Sequence, residues 1–138
     1  MVILFDRFNL PANVLEIIFS TRQQVIAASL LLEEFKLHDG TLGKTEMGMF
    51  ASMLHDGVKA VVPDEDDPEI TRVEKVSYNK RQFYDRILTP MKTMGMVDYD
   101  NYKKTYSLST KFNKMMMKIG LLWTREIRKP HGGLVMKK

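Results

Sequence analysis

Apolar residues recur at helical spacing over 21–37, "TRQQVIAASLLLEEFKL", where Val25, Ala28, Ser29, Leu32 and Phe35 share one face. Leu30 and Leu31 make the opposite side apolar too, so the pattern predicts a buried helix. It should stop at "HDG", because Gly40 can take the left-handed conformation that closes a helix. "GKTEMGMFASMLHDG" predicts a second, shorter helix. Gly43 stands at its N-cap, Glu46 near its positive dipole end, Met47, Phe50 and Leu54 on one face, and Gly57 past its end. The opening "MVILFDRFNLPANVLEIIF" reads either as a strand followed by a helical turn or as one apolar arm. We take 1–20 as an arm, partly helical from Ala12 to Phe19.

Between Gly57 and Val76 the periodicity lapses. "PDEDDPEI" sets Asp64, Glu65, Asp66, Asp67 and Glu69 between and beside Pro63 and Pro68, which predicts a solvated acidic loop inserted over 58–76. It lacks the alternating ligands and central glycine of a calcium-binding EF-hand loop. Helical spacing then resumes. Val76, Phe83, Ile87, Met91 and Met94 fall on one side, and Tyr78, Arg81, Gln82, Asp85, Arg86 and Thr89 on the other. Pro90 must kink this helix or restart it with the proline in its first turn, so polar contacts are expected from the part before it.

Gly95 should end the helix, and "MVDYDNYKKTYSLS" supplies two alternating segments, with Val97 and Tyr99 on the first and Tyr106 and Leu108 on the second. They predict a short hairpin over about 97–108. Ser109 is a good N-cap for a last helix, 109–129. Its apolar stripe of Phe112, Met115, Met116, Ile119, Leu122, Trp123 and Ile127 lies opposite Lys114, Lys118 and Arg125. Residues 130–138, "PHGGLVMKK", are expected to form a flexible tail.

A chain of 138 residues suits one domain, taken here as 21–129. The net charge of +4 conceals an asymmetry: residues 1–69 carry five Lys/Arg and twelve Asp/Glu, whereas 70–138 carry sixteen and five. A basic half is the footprint expected of a surface that meets a polyanion. With no cysteine there is no disulfide, thiolate metal site or cysteine nucleophile. No apolar run reaches the length of a membrane span, and Asp6 and Arg7 interrupt the opening one, so a soluble cytoplasmic protein is expected. His38, His55 and His131 form no close helical pair, and neither a phosphate-binding glycine loop nor a nucleophile–base spacing is present. We therefore expect no enzyme activity, cofactor or metal.

The order of these elements, with "NKRQFYDRILTPMKTMGMVDYD" running into a glycine stop and "KKTYSLSTKF" running from strand to helix, resembles a winged helix-turn-helix domain of the MarR, ArsR and PadR kind. The resemblance covers Thr21 to Arg128. It implies a mainly α fold with a small β-hairpin, and a recognition helix, about 78–89, in the major groove of double-stranded DNA. By resemblance Tyr78, Arg81, Gln82, Asp85 and Arg86 meet base edges or adjacent phosphates, Lys80 flanks the helix, and Tyr102, Lys103 and Lys104 grip the backbone from the wing. It also implies a homodimer through the last helix, with Met116, Ile119 and Trp123 on its seam, and a role in transcription regulation or another DNA-associated process. The alternative is a winged-helix interaction module whose basic face docks an acidic protein without touching DNA.

Overall fold

In the computed structural model, which describes residues 5–137, Asn13 opens a single 3-10 turn, Val14–Ile17, by accepting the N–H of Leu15. The turn is shorter than the expected helical stretch of the arm, yet it buries Leu15, and Phe19 just after it is buried too. Residues 1–4 of that arm lie outside the described residues.

Helix α1 (Arg22–Leu37) begins at a reciprocal capping box between Thr21 and Gln24. It buries Ile26, Ala27, Ala28, Leu31 and Phe35, while Val25 and Leu32 are only half-buried, so the inward face is rotated from the predicted one. The helix closes as expected, with the Gly40 N–H reaching back 2.7 Å to the Phe35 carbonyl. Strand β1 (Thr41–Gly43) follows and leads into α2 (Lys44–Asp56). The Gly43 N–H donates to Glu46 Oε1 at 3.1 Å, Met47, Phe50, Ala51 and Leu54 are buried, and Gly57 ends the helix.

Residues 58–76 depart from the expected loop. They form an antiparallel hairpin of β2 (Val58–Pro63) and β3 (Thr71–Val76), paired from Val58 with Val76 to Pro63 with Thr71. Ala60 and Val76 point inward, and Lys59, Val61, Val73 and Lys75 face solvent. The acidic run is the turn of this hairpin. Asp64 Oδ1 accepts the N–H of Asp66 at 2.9 Å and of Asp67 at 3.4 Å, and Asp67 accepts that of Glu69 at 3.2 Å. Those backbone donors hold the Asp64 carboxyl below its ordinary range. Pro63 is tolerated because it sits at the last ladder position of an edge strand.

Helix α3 (Lys80–Phe83), a π-helical turn (Tyr84–Leu88) and α4 (Thr89–Thr93) run on without a break. Strands β4 (Val97–Asp100) and β5 (Thr105–Leu108) form the predicted hairpin, with Tyr99 opposite Tyr106. A strand the periodicity did not reveal, β1, adds to β5, giving the order β1-β5-β4. The last element is α5 (Lys111–Arg128); residues 130–137 carry no helix or strand. The architecture is thus helical with two small antiparallel sheets, and its core brings Leu31, Phe35, Leu42, Met47, Leu54, Phe83, Ile87 and Met91 together. Among the described residues no helix is long and apolar enough to cross a membrane.

Candidate nucleic-acid interface

Asn79 fixes where the third helical segment begins. Its side chain accepts the Gln82 N–H at 2.8 Å, and the Gln82 side chain returns to the Asn79 N–H at 3.2 Å. Tyr78 therefore lies before the helix and is buried in the core, not on the polar face where periodicity had placed it. Burial pushes its phenol up, opposed by the positive charge of Arg86. Gln82 is half-buried, with its side-chain oxygen accepting the cap N–H of Asn79.

The inward side of 80–93 is apolar as expected: Phe83, Ile87, Met91 and Met94 are buried, joined by Leu88. Outward stand Lys80, Arg81, Asp85, Arg86, Thr89 and Lys92, all exposed. The Arg81 side chain is 92% exposed and pairs loosely with Asp85 at 3.6 Å, one helical turn on. Such a pair contributes a few tenths of a kcal/mol at most, so the guanidinium is free to exchange its partner.

Pro90 has no N–H for the Arg86 carbonyl, yet the helix does not stop there. Two adjustments absorb the proline. The Thr89 N–H bonds the Tyr84 carbonyl five residues back, and the Gln24 side-chain amide reaches the Arg86 carbonyl at 3.4 Å. Pro90 then occupies the first turn of α4. The polar face consequently extends beyond the proline to Lys92, a residue absent from the sequence-based set. Lys92 Nζ stands 5.6 Å from the Tyr99 ring centre and 5.9 Å from that of Tyr106, bridging the helix to the sheet. Its spacing from Asp85 and Thr89 was the available signal, and treating Pro90 as the end of the contact surface concealed it.

The turn between β4 and β5 is built by Asp100. Its Oδ1 accepts the N–H of Tyr102 at 2.9 Å and of Lys103 at 3.1 Å, while its carbonyl accepts that of Lys104 at 2.8 Å. The two N–H donors depress the Asp100 carboxyl. Lys104 takes a positive φ of 54°, and its carbonyl receives the Lys44 N–H at 3.1 Å, tying the turn to the start of α2. Tyr102 is left 99% exposed, with Lys103 and Lys104 exposed beside it.

The acidic hairpin is held to α1. Arg22 Nε meets Glu74 at 3.0 Å and Glu65 at 3.2 Å, and its Nη2 donates to the Pro63 carbonyl at 2.6 Å. The arginine draws the Glu74 carboxyl down. Helix α5 leaves the body with none of its residues buried: Met116 is half-buried, Ile119 is 53% exposed and Trp123 is 65% exposed. These three residues belong to an outward stripe and not to the monomer core.

No protein-family model, curated protein or solved structure matches this chain.

Proposed function

We propose that the chain is a winged helix-turn-helix protein that binds double-stranded DNA as a homodimer and serves in transcription regulation. The observation that carries this reading is a pair of exposed cationic surfaces, the outer face of 80–93 and the turn at Asn101–Lys104, on a helix and a hairpin that meet where Lys92 Nζ stands 5.6 Å from the Tyr99 ring centre. A helix with its side chains is about 10 to 12 Å across and fits a major groove roughly 12 Å wide. In this reading Arg81, Arg86 and Lys80 meet base edges or phosphates, Lys92 extends the contact past Pro90, and Tyr102, Lys103 and Lys104 hold the backbone.

Gln82 contributes only after leaving its cap, so its part in base reading is secondary to that of Arg81 and Arg86. Tyr78 supports the helix from within the core. The β2–β3 hairpin occupies the place of the short turn between the second and third helices, and its acidic tip, fastened by Arg22, faces phosphate with repulsion if it approaches. The exposed stripe of α5 supplies a seam for a second copy, which would set two reading helices on successive turns of one duplex, about 34 Å apart. Titration of the protein against labelled duplex over a range of salt concentration tests the reading. A steep fall of affinity with salt is expected, and no binding at about 50 mM salt would refute it.

A further inference from the structure

We propose that the segment Leu134–Met136 of one copy adds as a third strand to the free edge of β2 in a second copy. Among the described residues the outer edge of β2 pairs with no strand, and it opens into a groove lined by α1 and the segment before it. The Asp64 N–H donates to the Ile70 carbonyl, and antiparallel ladders alternate their bonds, so Val62 and Ala60 turn their backbone groups toward β3. Lys59, Val61 and Pro63 turn theirs the other way. The Pro63 carbonyl is taken by Arg22, but among the described residues no protein group bonds the backbone of Lys59 or Val61 on that side. An open edge with two residues' worth of donors and acceptors is a template for an incoming extended chain.

The groove beside this edge encloses about 1130 Å³. Phe19, Val25, Ile26 and Leu30 give it an apolar floor, and its rim carries Glu16, Glu33, Asp64 and Glu65 against Arg22 and Lys59. Its occupant should therefore be extended, apolar at alternate positions and basic at one end. Leu134–Met136, followed by Lys137, has those properties. Leu134 is 96% exposed, Val135 and Met136 are also exposed, no helix or strand includes them, and Gly132 and Gly133 precede them as a pliable lead. Leu134 and Met136 would face the floor together, since alternate residues of a strand share a side, and Lys137 would meet the acidic rim.

The second copy follows from α5. Its 18 residues span about 27 Å, and Lys129 to Leu134 adds at most roughly 17 Å. If two α5 helices pair antiparallel, the end of each lies beside the start of the other, and each segment returns to the partner's body. This step rests on the homodimer reading, whereas the edge and the groove do not.

The test uses a labelled peptide of residues 131–137 and the full chain carrying Leu134→Asp and Met136→Asp, whose own segment cannot compete. Saturable binding is expected, and Val61→Pro in that chain should weaken it by at least about tenfold, because the lost N–H points to the free edge and the ladder to β3 survives. Amide spectra of Ala60 and Glu74 check that the hairpin is intact. No peptide binding, or equal binding to the Val61→Pro chain, overturns the proposal. Concentration-independent protection of the Leu134–Met136 amides in the unmodified chain also overturns it, since the segment would then sit within its own copy. Peptide binding to an Ile119→Asp monomer upholds the edge site. Unchanged copy number in Ile119→Asp refutes the α5 seam alone, so the two failures are distinguishable.

Discussion

The Gly95 carbonyl accepts the N–H of Phe112 at 2.9 Å, and a Cβ placed on Gly95 would lie 2.7 Å from that same nitrogen. Gly95 thus does two jobs: its φ of +82° turns the chain from α4 into β4, and its missing side chain lets α5 start against the turn. Gly95→Ala should destabilise the protein by about 2 to 4 kcal/mol, combining left-handed strain with overpacking against backbone. Urea unfolding measures this. A loss below about 0.5 kcal/mol, ordinary for a surface substitution, would mean that the turn is not held as described.

Because Ile119 is exposed in its own copy, Ile119→Asp should leave the fold intact. Circular dichroism and the unfolding midpoint of dilute protein are expected to stay unchanged while sedimentation reports loss of the dimer at tens of micromolar, on the order of a weak association constant. Unfolding of the variant would show instead that Ile119 belongs to a core.

His38 connects the end of α1 to the start of α2, with Nε2 at 3.1 Å from Glu46 and Nδ1 at 3.0 Å from the Glu34 carbonyl. The Glu34 carbonyl raises the imidazole pKa most, and the Glu46 and Glu34 carboxylates and Asp39 add to it. A folded-state pKa above the unfolded one stabilises the fold while the ring is charged. That contribution is complete below the unfolded value and disappears as pH rises through the folded one. An NMR titration should therefore give His38 a midpoint above 6.5, and Glu46→Gln should lower it without removing the cap on Gly43. An unchanged midpoint in Glu46→Gln would remove Glu46 from the account.

Arg22→Ala should release the β2–β3 hairpin from α1. Amide exchange in β2 and β3 is expected to quicken, with a global loss of about 1 kcal/mol, since the ion pairs are partly solvated and the bond to the Pro63 carbonyl is one hydrogen bond. Exchange confined to its original rate would show that the apolar inner face alone holds the hairpin.

Long periodic segments were legible in the sequence because burial imposes their spacing. The inward faces of α2 and 80–93 and the glycine stops at Gly40, Gly57 and Gly95 all follow from it. The β2–β3 hairpin was hidden because "VKAVVP" and "TRVEKV" each give only a short alternation, and the acidic residues and prolines between them dominate the composition. Strand β1 is too short to show a period at all. Tyr78 was misplaced because helical spacing was counted from a residue ahead of the Asn79 cap, and Lys92 was missed because a tertiary bond from Gln24 compensates Pro90. Local pattern encodes an element's face, and contacts distant in sequence decide where it starts, ends or continues.

Base reading should separate from backbone grip. Arg81→Ala and Arg86→Ala are expected to remove roughly 1 to 3 kcal/mol each from binding to a preferred duplex and little from random duplex. Gln82→Ala should also lower protein stability by about 1 kcal/mol through the lost cap, which a thermal scan would detect. Equal losses on both duplexes would make Arg81 and Arg86 phosphate ligands instead.

The most direct test of DNA binding is the slope of log affinity against log salt for the unmodified chain and for Lys103→Ala with Lys104→Ala. Both lysines stand exposed on a turn fixed by Asp100, so the double substitution should leave the fold unchanged. It should weaken preferred and random duplex alike and make the slope shallower by roughly two, one for each lost phosphate contact. An identical slope and affinity for the two proteins, or no duplex binding by either at about 50 mM salt, would contradict the account.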